Sequence, residues 1–285
     1  MSSRKFGVLH PGQMGVALAS TARNSGCEVY WASEGRSAET RRRAEEAGFK
    51  DSGSVAAMCE TCDVIASVCP PEFAEAMACE IAEHRFRGVY MDANAISPHR
   101  ARRIGQLLTS RGITFVDGCI IGQPATAHGE TWIYLSGEEA ARAAACFGVG
   151  PLEVEILEGG VGRASALKMC YSAHAKGMAA LRAAVLGAAA ELGVLRDLER
   201  QWSRSGPPFA RAVESIQHTA PKAWRFVAEM YEIIETFEAA GMPGDFHHGA
   251  AEIYSRLAPF KGAGKPELGE ALKQLRARAA VNAKP

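Results

Sequence analysis

The 285-residue sequence predicts an α/β domain followed by an all-helical one. Three observations carry this reading. Short apolar runs alternate with helical stretches through the first half, and a glycine-bearing turn follows the first of those runs. After Glu158-Gly-Gly-Val-Gly the period changes to a helical one and stays changed. Strands and helices alternating in units of about 25 residues argue for a parallel sheet with helices on both faces.

Taken in order, Phe6-Gly-Val-Leu is the first strand and residues 14–25 the first helix. Glu28-Val-Tyr-Trp-Ala, Val64-Ile-Ala-Ser-Val and Val89-Tyr-Met-Asp are strands followed by helices over 38–47, 71–83 and 98–111. Ile113-Thr-Phe-Val-Asp, Ile133-Tyr-Leu-Ser-Gly and Leu152-Glu-Val-Glu-Ile continue the strand pattern, with a helix at 138–145 before the last. Residues 164–192, rich in Ala, Leu and Met, form one long helical run ending near Gly193. Further helical segments lie at 197–202, 209–219, 222–240, 247–257 and 266–279, with Pro207, Pro221, Pro243 and Pro259 as breaks between them. No strand candidate follows residue 160, so the predicted domains are 1–159 and 160–285.

Composition narrows the function classes. Apolar residues make up 47% and charged residues 22%, which excludes disorder as the main state. Thirty-two basic residues balance 32 acidic ones, so nucleic-acid binding has no electrostatic support. Residues 1–159 carry 15 Lys/Arg and 20 Asp/Glu, while 160–285 carry 17 and 12. This −5/+5 asymmetry either helps the two parts dock or has no function. No run approaches the roughly 20 apolar residues of a membrane span, and the start shows no secretory leader pattern. A cytoplasmic location is expected, with the eight cysteines reduced. Cys59-Glu-Thr-Cys62 lacks a partner pair, so core packing is the better reading than a redox or zinc site.

The turn after the first strand bears on cofactor binding. A dinucleotide fingerprint reads Gly-x-Gly-x-x-Gly between a strand and a helix. The six residues here are His10, Pro11, Gly12, Gln13, Met14 and Gly15, so the second and third glycines are present and the first is His10. Gly12 lets a pyrophosphate approach the backbone, Gly15 lets the helix pack on the strand, and the helix N–H groups meet the phosphates. A Rossmann-type dinucleotide-binding domain is therefore expected at the N-terminus. The second strand runs into Ser33-Glu34-Gly35-Arg36-Ser37. Arg36 offers a planar donor fork and Ser33 and Ser37 offer hydroxyls, which favours NADP(H) with its 2′-phosphate. Glu34 is an NAD-type acid one position late, so NAD stays open. Cys69 and Pro70 after one strand, and Asn94 after the next, fall where such a fold borders the nicotinamide.

Together these segments resemble the β-hydroxyacid dehydrogenase superfamily, which includes 3-hydroxyisobutyrate and 6-phosphogluconate dehydrogenases. The likeness spans nearly the whole chain. It runs through Phe6-Gly-x-x-x-x-Gly12-x-Met14-Gly15, Asp92-x-Asn94-x-x-Ser97-Pro98 and Asp117-Gly-Cys-Ile-Ile-Gly122, then Gly129-Glu-Thr-Trp-Ile-Tyr-Leu-Ser-Gly137 and Gly160-Val-Gly162-x-Ala-Ser-Ala-Leu-Lys168-Met. The His-Pro-Gly-x-Met-Gly turn and Leu-Lys-Met-x-Tyr helix resemble a branch of NAD(P)-dependent oxidoreductases with a phosphogluconate-dehydrogenase-like C-terminal domain. The resemblance implies a homodimer built through the helical domain and Lys168 as general acid/base. That role suits the chemistry, since hydride arriving at a carbonyl leaves charge on oxygen that an ammonium can protonate.

Two departures bear on the substrate. The family's loop serine, which helps hold a carboxylate, is Ile121 here, although Gly122 still offers a backbone N–H. The asparagines expected one turn after the lysine are Tyr171 and Ser172, at i+3 and i+4 on its face. In the helical part, Trp224 and the adjacent His247-His248 are polar–aromatic groupings that either pack the core or, as with Trp224 and His248, line a substrate pocket. Adjacent histidines diverge on a helix, so no metal site is expected. The expectation is an oxidoreductase for the hydroxyl/carbonyl pair of a small polar metabolite. Imine reduction and a non-catalytic cofactor-binding regulator are the alternatives, both disfavoured by Lys168.

Overall fold

The computed structural model describes residues 3–276; the end of the expected last helix, 277–279, lies outside the described residues. The strands are β1 (Lys5–Val8), β2 (Glu28–Trp31), β3 (Lys50–Asp51), β4 (Val64–Ser67), β5 (Val89–Asp92), β6 (Thr114–Ile121), β7 (Thr131–Ser136) and β8 (Leu152–Ile156). Between them lie α1 (Gln13–Asn24), α2 (Ala38–Glu46), α3 (Val55–Thr61), α4 (Ala74–Glu83), α5 (Pro98–Ser110) and α6 (Ala140–Ala144). The strands form one sheet in the order β3-β2-β1-β4-β5-β6-β7-β8. All neighbours are parallel except β6 and β7.

That antiparallel pair corrects the expectation of a wholly parallel sheet. Parallel pairing needs a crossover connection, usually a helix. Residues 122–130 contain no helix or strand, so the chain returns directly and β7 runs back along β6.

The pleat sorts side chains onto two faces. Val64 and Ala66 of β4, and Val89 and Met91 of β5, pack in the core under α1, α2 and α6. Their neighbours Ile65 and Tyr90 pack on the opposite face with Met58 of α3, Ala78 and Ile81 of α4, and Ile104 of α5. Every one of these side chains is within 2% of full burial. Cys59 and Cys62 belong to the second of these cores. Serine oxygens cap three of the helices: Ser37 accepts from the Thr40 N–H, Ser54 from Ala57 and Ser97 from Arg100.

The C-terminal half is helical, with α7 (Arg163–Glu191), α8 (Leu195–Ser205), α9 (Phe209–Thr219), α10 (Ala223–Ala239), α11 (Asp245–Leu257) and α12 (Leu268–Arg276). The chain divides into two compact units, the first running to Met169 and the second starting at Cys170, so the division falls inside α7. In the second unit α10 and α11 pack together, with Phe226 edge-on to Tyr254 at 5.3 Å. The Tyr254 hydroxyl donates to the Lys176 carbonyl of α7 at 2.6 Å. No helix among the described residues is long and apolar enough to cross a membrane.

Candidate active site

Parallel strands bring their carboxyl ends to one edge of the sheet. The loops after β1, β2, β4 and β5 therefore meet there, and β1 and β4, central neighbours, lead away in opposite directions. Such a switch point opens a crevice for ligands.

At this edge, Gly12 is the N-cap of α1, and no side chain caps that helix. Unlike those of α2, α3 and α5, the first N–H groups of α1 are met by no N-cap side chain, and such groups can receive an anion. A methyl group at Gly12 would meet nothing within 4 Å, so the approach to the backbone is open. At Gly15 the reverse holds: a Cβ would lie 2.1 Å from the His10 carbonyl oxygen, so only glycine lets α1 sit against the β1 turn. Pro11 is buried, and Gln13 and Met14 form the first turn of α1. His10 occupies the fingerprint's first glycine position at no conformational cost, because positive φ angles in the described chain belong to glycines alone.

His10 is also chemically unusual. Its Nδ1 is buried and has no hydrogen-bond partner. Burial, and then the Arg36 charge, push its pKa down to about 4. Arg36, half-buried after β2, has its own Nε enclosed without a partner. Burial lowers its pKa, against the opposing influence of Glu80 and Cys69. Buried polar groups left unmet in this way cost about 1–3 kcal/mol each.

The rest of the β2 loop corrects one expectation. Ser33 is only 8% exposed and its hydroxyl is bonded to Asp51 of β3, so it faces inward and is spent. Its carbonyl accepts from Arg41 at 2.7 Å, and Arg41 also reaches the Arg36 carbonyl at 3.3 Å. Arg41 thus braces the loop, a function the sequence reading missed because an arginine in a charged helix carries no mark. Ser37 caps α2 and keeps its hydroxyl at an exposed position.

Asn94 is likewise turned inward. Its Oδ1 accepts from the Cys69 N–H at 2.6 Å and its Nδ2 donates to Ser67 at 3.0 Å, while its own N–H donates to Asp92 at 2.9 Å. It ties the turn after β4 to the turn after β5 and leaves no side-chain group to line the crevice. Arg100 of α5 braces the same turn by donating to the Pro71 carbonyl at 2.9 Å. Pro70 and Cys69 stay half-exposed at the edge, and burial pushes the Cys69 thiol up to about 12, which keeps it neutral.

The lysine helix is anchored by a residue to which the sequence reading gave no role. Asp117 of β6 is fully enclosed and accepts from the Ser136 hydroxyl, the Gly162 N–H, and both the N–H and hydroxyl of Ser165 at 2.9, 2.9, 3.2 and 2.6 Å. Ser136 in turn accepts from the Ala164 N–H at 3.1 Å. Burial pushes the Asp117 carboxyl up, and these four bonds oppose that shift. The first turn of α7 is thereby fixed on β6, and Lys168, one turn on, donates from Nζ to the Ile120 carbonyl at 2.7 Å. The signal for Asp117 was a carboxylate in an apolar strand with serines at matching strand and helix starts.

Ile121 is buried, and Gly122 takes φ +129°, with a Cβ there 2.5 Å from the Glu130 carbonyl oxygen. In the second unit, Tyr171 is 51% exposed. Ser172 corrects the reading of a substrate contact: it is buried and donates to Glu229 at 3.0 Å, and Glu229 also pairs with Lys176. Trp224 lies under Lys261, whose Nζ is 3.9 Å from the ring centroid, and His248 sits edge-on to Tyr231 at 6.0 Å. Both therefore have packing partners within their own unit. Among the described residues no group of three or more His, Cys, Asp or Glu is placed to hold a metal.

The switch-point edge and the open α1 turn are those of a dinucleotide-binding fold. Residues 5–146 match the model of the NAD binding domain of 6-phosphogluconate dehydrogenase, and residues 189–257 match a domain of unknown function, DUF1932. The chain belongs to the β-hydroxyacid dehydrogenase-like superfamily. An uncharacterized 28.5 kDa protein of Methanothermus fervidus is 29% identical over 173 residues, 60% of this chain. The match spans 65% of that relative, just under two thirds of its length. A conserved protein of unknown function, described as structurally similar to 3-hydroxyacid dehydrogenases, is 28% identical with TM-score 0.66, covering 96% of this chain and all of the other. The 3-hydroxyisobutyrate dehydrogenase of Mycobacterium tuberculosis with L-serine shares the fold at 18% identity and TM-score 0.69, over 97% and 100% of the two chains. An Aspergillus terreus reductive aminase with NADPH shares it at 16% and 0.56, over 96% and 100%.

Proposed function

We propose that the chain is an NADP(H)-preferring oxidoreductase that interconverts the hydroxyl and carbonyl forms of a small polar metabolite, with Lys168 as general acid/base. The observation that carries this is the Asp117 anchor, which sets Lys168 at the carboxyl end of β6. A bound nicotinamide dinucleotide supplies the hydride. The open backbone at Gly12 and the uncapped N–H groups of α1 receive its pyrophosphate, and Arg36 with Ser37 meets the 2′-phosphate. Asn94 holds the Cys69-Pro70 turn in place behind the crevice.

An ammonium has three N–H donors, and the Ile120 carbonyl takes one from Lys168. The other two are left for a substrate oxygen. In reduction Nζ gives its proton to that oxygen as negative charge develops there, and in oxidation the neutral amine takes the hydroxyl proton. With Ile121 in place of a hydroxyl-bearing residue, a substrate carboxylate is received by the Gly122 backbone N–H and not by a serine.

The test is turnover of a panel of 3-hydroxy acids, their oxo forms and cyclic imines with NADPH or NADP⁺. Lys168→Ala lowers kcat on the hydroxyl/carbonyl pair by about 10²–10⁴. Near-normal turnover in that variant overturns the mechanism. Imine reduction that survives it selects the C=N reading, and NADPH binding without turnover on any substrate selects the non-catalytic one.

A further inference from the structure

We infer that His10 and Arg36 form a two-sided anion clamp for the cofactor's ribose 2′-phosphate, in which His10, and not only the arginine, selects for that phosphate. The inference rests on the cofactor reading above and adds a residue to it. The two side chains come from different loops, after β1 and after β2, at the same edge of the sheet. Each encloses a nitrogen with no hydrogen-bond partner, His10 Nδ1 and Arg36 Nε. Two unmet nitrogens, near enough that the Arg36 charge acts on His10, ask for a ligand that can meet both, and among the described residues none does. Arg41, the other arginine of this loop, is occupied by the Ser33 and Arg36 carbonyls. A phosphate monoester dianion matches the pair, since it presents several acceptor oxygens and two negative charges.

The charged surroundings set how the clamp responds to acid. Arg36 is the charged group acting on His10, and Arg36 in turn faces Glu80 of α4 and the Cys69 thiol after β4. In the free protein His10 is neutral at pH 7, held down by burial and by Arg36. A dianion between the imidazole and the guanidinium offsets the Arg36 charge and raises the imidazole's affinity for a proton. Binding then takes up a proton as pH falls from 7 toward 5, where His10 becomes a cationic donor. A ligand without the 2′-phosphate brings no such charge and takes up no proton at this site.

The experiment is calorimetric binding of NADPH, NADH, 2′-AMP and 5′-AMP to the full chain at pH 5.5 and 8, in two buffers of different ionisation enthalpy. His10→Gly restores the fingerprint glycine and is compared with His10→Gln and Arg36→Ala. The expected result is a loss of about tenfold or more in NADPH and 2′-AMP affinity for His10→Gly at pH 5.5, with NADH and 5′-AMP unchanged. Proton uptake disappears in that variant. His10→Gln, which keeps a neutral donor, retains affinity at pH 8 but shows no proton uptake. If His10→Gly weakens all four ligands equally, or keeps the wild-type proton uptake, the clamp is overturned and His10 only shapes the turn. If Arg36→Ala loses NADPH while His10→Gly does not, the cofactor reading stands and this inference falls. If the wild type prefers NADH, both fall together.

Discussion

Asp92 shows how far one carboxyl can depart from its ordinary behaviour. It ends β5 fully enclosed, accepting from Asn94 on one oxygen and from nothing on the other. Burial moves its pKa from 3.8 to about 7, with the Asn94 bonds acting against the shift and the Asp117 charge adding to it. Between those two values the folded chain holds a proton that the unfolded chain releases, so stability is lost as pH rises through this window. Asp92→Asn removes the dependence. The expected outcome is that the variant gains on the wild type by a few kcal/mol between pH 4 and pH 8, read from urea unfolding at each pH. A difference that does not change with pH contradicts it. Single residues were also where the sequence was least legible. His10 looked like a defect in a glycine pattern, yet only the surrounding chain reveals that no positive φ is required there. Ser33 looked available because its partner Asp51 lies on a two-residue strand too short to show any periodicity.

Among the elements, four central strands were read closely, while the far half of β6 and the shortest elements were not. β1, β2, β4 and β5 lie within a residue of their expected bounds, because each is a continuous, mostly apolar run bounded by turns. β3 and α3 went unseen between residues 50 and 61, where neither period has room to repeat. The start of α7 is the element on which the site depends. Its first turn is held by one carboxylate taking four bonds, so Asp117→Ala strands the hydroxyls of Ser136 and Ser165 and two backbone N–H groups. The expected cost is a few kcal/mol in urea unfolding, with a drop in kcat while NADPH affinity stays close to wild type. Asp117→Asn, which keeps one oxygen acceptor, recovers part of both. Equal losses in kcat and cofactor affinity would show that the anchor serves the whole unit and not the lysine.

For the molecule as a whole, alternation of strand and helix announced the first unit, and the loss of alternation announced the second. Strand order and the reversal at β7 were beyond reach, because pairing partners leave no local trace. The superfamily resemblance leads us to propose a homodimer through the helical unit. That unit exposes Leu192 at 75%, Phe246 and Tyr231 each at 54%, and α8, none of whose residues is buried. Light scattering should give the mass of two chains, and Leu192→Glu combined with Tyr231→Glu should halve it. A wild-type monomer at micromolar concentration would end the proposal.

The reversal between β6 and β7 has a consequence for how the sheet is assembled. β1 must find β4 across the whole of β2, β3 and three helices, whereas β6 meets β7 across the short span of residues 122–130. Loop-closure entropy grows with the logarithm of the span, which makes the long closure roughly 1–2 kcal/mol harder than the short one. The sheet thus contains one seam that closes across a short loop and one, β1 against β4, that waits on distant chain. The Asp117 and Ser136 pair sits on that local seam, so the platform for the lysine helix can form before the dinucleotide crevice exists.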